Sequence, residues 1–178
     1  MPQDRPPALP WLSNCYDVLV HSPPVVVPDV TACEARAGVW LPAYELGTVL
    51  LEYATRTADS IRLDQAIALL RVAGAVGPET GEDYAANSHQ LGRALRTRFD
   101  RHGDLADLNM AISVLQQARA GLAAARCERS TESLARILDL FCQCLRRRFE
   151  ITGRLDDLDV AHEAQAASRE LCRRSYSQ

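Results

Sequence analysis

The sequence predicts an all-α fold, a short α-solenoid of about three antiparallel helical hairpins behind a proline-rich N-terminal arm. Three observations predict it. Apolar residues recur at three-and-four spacing from Pro42 onward, which is the period of an amphipathic helix. The stretch "LRTRFDRHGDLADLNMA" from Leu95 returns fifty residues later as "LRRRFEITGRLDDLDVA", with nine of seventeen positions identical. A weaker copy lies forty-five residues before the first of these stretches.

The first element is the arm, predicted to span residues 1–41. Seven of the nine prolines lie in residues 1–28, and "HSPPVVVPD" is typical of extended chain. One short helix on its N-terminal side would carry Trp11, Leu12, Cys15 and Leu19 on one face. A second would start near "TACE", where two residues have capping-box spacing, Thr31 and Glu34.

The repeat domain is predicted to span residues 42–178, with hairpins at about 42–78, 82–123 and 130–173. In the second and third hairpins a polar turn contains Gly103 or Gly153, which can take the left-handed conformation that ends a helix. In the first, "LGTVLLEYATRTADSIRLDQAI" keeps the apolar register of "LGRALRTRFDRHGDLADLNMAI". His162 stands where the other copies have Ile67 and Ile112, which is typical of a terminal capping repeat.

The motifs "LGxxL", an Arg followed by an aromatic residue, "GD", "DL" and "AI" resemble the long tetratricopeptide-type repeats of about forty-five residues, common in actinobacterial and some fungal multidomain proteins. The resemblance covers roughly residues 44–171. It implies a scaffold or sensor role, because such repeats often accompany peptidase or signalling ATPase domains. It also implies that the first helix of each hairpin lines a concave face.

Counting from "LG", the inward positions would include Tyr44, Thr48, Leu51 and Glu52 in the first copy. In the other copies the predicted ligand-binding residues are mainly basic: His89, Arg93, Arg96, Arg136, Gln143, Arg146 and Arg147. Guanidinium groups clamp carboxylates and phosphates, so the predicted function is a protein-interaction module for a peptide or acidic segment. The alternative for these arginines is a solvated helical face partly paired to nearby acids.

Two further arginines recur with the repeat, and Arg98 and Arg148 are therefore predicted to pair structurally with Asp107 and Asp157. "CQC" at Cys142 and Cys144 is not a metal motif, because residues two apart on a helix do not share a face. Cys142 instead occupies a slot for a small residue held elsewhere by Gly47 and Gly92. We predict no metal and no cofactor.

Enzyme motifs are absent, so enzymatic activity is uncertain and a binding role is favoured. A site of scattered residues remains an alternative, for example His89 with Cys142 or Glu132 with an arginine. So does a small accessory or catalytic protein of a biosynthetic or signalling cluster, with a small-molecule pocket between arm and repeats.

Composition limits the partners. A formal net charge of −3 and few aromatic residues argue against nucleic acid. All twenty basic residues are arginine, which excludes a lysine Schiff base. No signal peptide or long apolar run is recognisable, so we expect a cytoplasmic protein without membrane contact and with reduced cysteines.

The arm raises a second binding hypothesis. "WLSNCYDVLV" is amphipathic enough to dock on the solenoid, either completing the core of the first hairpin or covering the concave face. Completion of the core is favoured, because Trp11 and Trp40 flank the exposed end of that hairpin. Association of two copies through an uncapped repeat end also stays open.

Overall fold

The computed structural model describes residues 36–125 and 130–175, and the side chains of 40–123 and 131–173. Six helices make up these ranges: α1 Arg36–Thr57, α2 Ser60–Val76, α3 Gly81–His102, α4 Leu105–Ala125, α5 Ser130–Thr152 and α6 Leu155–Ser175. The described residues contain no strand. The predicted arm helices, with Trp11, Leu12, Cys15 and Leu19 and with Thr31 and Glu34, lie outside these residues.

Neighbouring helices pack in pairs, α1 with α2, α3 with α4 and α5 with α6, and the pairs stack on one another. The all-α class and the short solenoid of three hairpins are therefore confirmed. Helix α1 begins at Arg36 rather than at Pro42, and includes that proline. The division at residues 41 and 42 into arm and repeat domain stays a prediction.

The turns within the hairpins follow one design. Gly103 and Gly153 both have positive φ, 73° and 69°, and their backbone N–H groups donate to the carbonyl oxygens of Phe99 and Phe149. The left-handed conformation there ends the first helix of the pair, as the sequence predicts. In the first hairpin Ala58 holds the same conformation with φ 58°, the one non-glycine residue of the described chain to do so.

In the first two hairpins the first helix packs closely on its partner at a glycine. A Cβ atom at Gly47 would lie 2.9 Å from Leu70 Cγ, and one at Gly92 would lie 3.1 Å from Leu115 Cγ. In the third hairpin the equivalent positions are Cys142 and Gln165, so a larger residue replaces the glycine and a polar one replaces the leucine. The predicted small-residue slot is confirmed in the first two hairpins.

The core runs continuously through the stack. It is built from leucine and alanine on the facing sides of all six helices, with Phe99 and Phe141 at its centre and C-terminal part. The third hairpin leaves the pattern at its outer side, where His162 is exposed, whereas Ile67 and Ile112 are buried. This difference agrees with a polar capping position at the end of the described stack.

Contacts between the first helices fix their relative direction. Ser133 of α5 donates to Glu82 of α3, and farther along the same helices Arg147 lies near Asp100. From the first pair to the second, the residue number increases in both helices, so α3 and α5 run parallel. Helices α1 and α3 do the same, since Arg93 pairs with Glu52 and Arg101 donates to the carbonyl of Ala54.

Candidate functional site

The parallel helices α1, α3 and α5 present one continuous polar surface, which we name the first-helix face. The predicted binding residues on it are His89, Arg93, Arg96, Arg136, Gln143 and Arg147. Tyr44 and the acids Glu52, Asp100 and Asp139 lie on the same face. One inward prediction was wrong. Leu51 is buried in the core at 1% exposure, because it lies one position before Glu52 and so 100° away around the helix.

Arginines on this face bridge neighbouring helices. Arg93 of α3 pairs with Glu52 of α1 at 3.1 Å, and Arg96 of α3 donates a hydrogen bond to Gln143 of α5. The structure therefore brings Arg96 and Gln143 together, as expected for residues of one surface. Both contacts cross from one hairpin to the next, so these side chains also hold the stack.

Arg147 lies in the C-terminal part of the contact between α3 and α5. Its guanidinium pairs with Glu150 at 2.7 Å, approaches Asp100 at 3.9 Å, and lies 5.8 Å from the ring centroid of Phe99. Arg146 is directed elsewhere, since its guanidinium donates to Gln165 of α6 at 3.3 Å. Of the seven predicted residues, Arg146 is the one whose observed contact lies outside the first-helix face.

The acids on and around this face matter for its charge. Arg93, Arg96, Arg136 and Arg147 each contact an acid, at Glu52, Asp100, Glu132 and Glu150. Most of these pairs are about half exposed, where ion pairs contribute little to stability and exchange readily. The face is thus a mixed-charge surface, and the alternative of a solvated face with paired arginines describes much of it.

One part of the face is concave. A cavity of about 90 Å³ lies near the N-terminal ends of the three first helices, lined by polar groups and small residues. Tyr44 comes from α1, His89 and Gln90 come from α3, and Ser133 and Arg136 come from α5. Ala85 and Ala86 leave the space open. The cavity has the size of a few water molecules or one small polar group.

Electrostatics distinguish this cavity. His89 is mostly buried, and its pKa is lowered from the usual 6.5, chiefly by burial and then by the positive charges of Arg93 and Arg136, while Asp139 opposes the shift. One guanidinium group, that of Arg136, lines the cavity, and Asp139 adds negative charge beside His89. Arg136 and a protonated His89 are the groups of the lining that can bind an anion.

An acid borders the cavity as well. The hydroxyl of Ser133 donates to Glu82 Oε2 at 2.5 Å, and the buried Oε1 atom has no hydrogen-bond partner among the described residues. Sequence reasoning had named Tyr44 and Arg136 on this surface but missed Gln90, Ser133 and Glu82. The first turns of α3 and α5 come together only through hairpin stacking, and no local pattern signals it.

Neither buried cysteine of α5 has the properties of a nucleophile. Cys144 is fully buried and burial raises the pKa of its thiol to about 12, while burial also raises the pKa of Cys142. Reactive cysteines have a lowered pKa, so these thiols are packing residues. In the parts of the chain that the structure describes, no group of three or more His, Cys, Asp or Glu side chains is arranged to hold a metal ion.

The recurrent arginines form a structural node between hairpins. Arg98 holds Asp107 through Nε and Nη2, at 2.8 and 2.5 Å, and reaches Asp64 of the preceding hairpin through Nη1 at 3.0 Å. Arg148 repeats this arrangement with Asp157 and with Asn109 of the preceding hairpin. The predicted pairings are confirmed, and each arginine in addition joins two hairpins.

Comparison of the chain with protein-family models, with curated proteins and with solved structures gave no match. Within residues 36–125 and 130–175, no helix is both long enough and apolar enough to cross a lipid bilayer.

Proposed function

We propose that the protein is a binding module that recognises an acidic peptide segment on its first-helix face, with the cavity between Tyr44, His89 and Arg136 as the subsite for one carboxylate. The cavity is the observation that carries the proposal. It is the place on this face where a recess, the guanidinium group of Arg136 and the imidazole of His89 meet. A carboxylate there would accept hydrogen bonds from charged donors, the stronger class of such bonds.

The other arginines of the face give the module a larger footprint. Arg93, Arg96 and Arg147 contact acids that are about half exposed, so an incoming acidic side chain can replace an internal one at little cost. Affinity on such a surface comes from several weak contacts. Selectivity comes from the recess, because only there does the shape of the surface limit what fits.

The repeat architecture supports the same reading. Three stacked hairpins with a glycine slot, an Arg–Asp node and parallel first helices fit the tetratricopeptide-type proposal, in which peptides lie along the first helices. We also propose a scaffold role in the cytoplasm, and the formal net charge of −3 supports a partner other than nucleic acid. A homo-oligomer and a catalytic accessory role remain the alternatives.

The test uses full-length protein and a pool of fluorescent octapeptides that each contain two acidic residues, with either a free or an amidated C-terminus. Fluorescence anisotropy measures binding to the wild type, to Arg136→Gln and to His89→Gln. Arg154→Gln, which removes the same charge from an exposed turn away from the face, is the control. We expect each cavity variant to weaken binding about tenfold, the loss of roughly one charge-assisted hydrogen bond.

Comparison of the free and amidated peptides shows which carboxylate enters the cavity. Loss of binding on amidation identifies the terminal carboxylate, and retention identifies an acidic side chain. Equal binding to the wild type and to both cavity variants, with all proteins equally helical by circular dichroism, would contradict the proposal. So would the absence of binding to every peptide in the pool.

A further inference from the structure

A second recess lies on the other side of α5, between the C-terminal parts of α4 and α6. It is an open recess of about 540 Å³ and mainly apolar, with its wall formed by Leu134, Leu138, Leu171, Ala123, Ala164 and Ala167. We name it the α4–α6 groove. Leu134 precedes Gln143 by nine residues, which is two and a half helical turns, so the groove faces away from the first-helix face.

The groove exists because the third hairpin lacks two side chains that bridge the same space in the second. There Tyr84 of α3 donates a hydrogen bond to Gln117 of α4 at 3.3 Å. The equivalent positions fifty residues later are Leu134 and Ala167, which have no such bridge and less bulk on the α6 side. An apolar recess of a few hundred cubic ångströms therefore remains open, in the size range of binding pockets.

The edges of the groove are polar and its floor is not. The guanidinium of Arg119 lies 5.4 Å from the ring centroid of Phe141, and Glu163 and Glu170 stand on the α6 side. Leu134 and Leu171 are only partly buried although both pack against the core. Apolar side chains left open to water in one recess favour an apolar occupant.

The sequence alone favours a position on the first hairpin for residues 11–20 of the same chain, "WLSNCYDVLV". Because the open apolar recess lies at the third hairpin, we propose instead that this segment occupies the α4–α6 groove and inserts Trp11 between α4 and α6. This segment has the chemistry that the groove requires. Trp11, Leu12, Cys15 and Leu19 fall on one face at helical spacing, and the remaining positions supply the polar edge. The occupant differs from the peptide of the first-helix face, and the two sites are independent.

The position of the groove puts it within reach of that segment. Helix α1 starts at Arg36, at the same end of the stack as the first turns of α5 and the last turns of α4 and α6, because the first helices run parallel and the second helices return. Two steps between neighbouring first helices amount to roughly 20 Å. Residues 20–35 span up to roughly 50 Å when extended, so the connection leaves slack.

The two tryptophans of the chain allow a direct test. In full-length protein carrying Trp40→Phe, the remaining indole is Trp11, and its emission maximum reports whether it is buried. We expect emission shifted to shorter wavelength relative to the urea-unfolded chain, and protection from acrylamide quenching. Ala167→Glu places a charge in the groove and should return the emission to that of an exposed indole.

Ala166→Glu is the matched control, since it introduces the same residue one position earlier, at an exposed site that does not line the groove. It should leave the emission of Trp11 unchanged. Helical content of both variants is compared by circular dichroism, and Trp11 emission is recorded over a hundredfold range of protein concentration.

Three results would overturn the proposal. The first is an exposed Trp11 in the parent protein. The second is a buried Trp11 that responds equally to Ala166→Glu and Ala167→Glu or to neither, which would place the segment elsewhere, such as the first hairpin. The third is burial that disappears on dilution, which would show that the segment docks on a second copy.

Discussion

Ala58 has the backbone conformation that glycine holds at the equivalent turn positions of the other two hairpins. Its φ is 58°, against 73° at Gly103 and 69° at Gly153. A side chain at Cβ disfavours this region by about 1 to 2 kcal/mol. The first hairpin therefore carries a strain that the other two avoid.

We predict that Ala58→Gly raises the free energy of unfolding by about 1 kcal/mol. The reverse change, Gly103→Ala, should lower it by a similar amount, because nothing lies within 4 Å of the added Cβ and only the backbone term changes. Urea unfolding followed by circular dichroism measures both. An Ala58→Gly variant that is less stable than the wild type would show that this turn is not left-handed in solution.

His89 supplies a pH dependence whose sign follows from its surroundings. Burial, Arg93 and Arg136 lower its pKa below 6.5, and Asp139 only partly opposes them. The unfolded chain therefore binds the proton first as the pH falls. The stability contributed by neutral His89 is complete above pH 6.5 and is lost progressively below it, until the folded protein also takes up the proton.

We predict that the wild type loses stability between pH 7 and pH 5 more steeply than His89→Gln, which has no proton to take up at this position. Urea unfolding at several pH values measures the difference between the two slopes. Identical slopes would mean that folding does not lower the pKa of His89.

At the scale of the helices, the Arg–Asp nodes tie turns to neighbouring hairpins. The guanidinium of Arg148 lowers the pKa of Asp157 through a two-pronged hydrogen bond, and Asp157 has a side-chain exposure of only 5%. Removing the arginine leaves a buried carboxylate without its charge partner, which is the costly way to break such a pair.

We predict that Arg148→Ala lowers the free energy of unfolding by about 3 kcal/mol. Asp157→Asn should cost less, about 1 to 2 kcal/mol, because the amide oxygen still accepts a hydrogen bond from Arg148, whose guanidinium also keeps its bond to Asn109. Since the pKa of Asp157 is lowered, the stability of this pair is present above pH 4 and lost as the pH falls below it. Chemical unfolding measures the order of the two variants, and the reverse order would contradict the node.

Much of the helix arrangement could be predicted from the sequence. The repeat identified the helix pairs, the turn glycines, the small-residue slot and the Arg98 and Arg148 pairings, because each depends on residues that recur in register. The cavity did not follow, since Ser133 and Tyr44 approach His89 only through stacking. The bonding of Arg146 to Gln165 was missed for the same reason, as was the burial of Leu51.

At the scale of the whole molecule, stability in a stacked repeat depends on neighbours. The second hairpin packs on the first through α2 and α3 and on the third through α4 and α5, whereas each outer hairpin has one described neighbour. Local opening should therefore be least frequent in the middle of the stack.

We predict that backbone amides of α3 and α4 exchange with deuterium more slowly than those of α6. Hydrogen exchange read by mass spectrometry on the full chain measures this directly. Uniform exchange across all six helices would indicate that the hairpins open together and that neighbour contacts do not set local stability.

Binding of an acidic peptide on the first-helix face, at the recess between Tyr44, His89 and Arg136, can be mapped residue by residue. The most direct measurement is a titration of isotope-labelled full-length protein with the tightest octapeptide of the pool, followed by NMR chemical shifts. We expect shifts clustered on α1, α3 and α5, largest around His89 and in the first turns of α5. Shifts confined to α4 and α6, or no shifts at millimolar peptide, would contradict it.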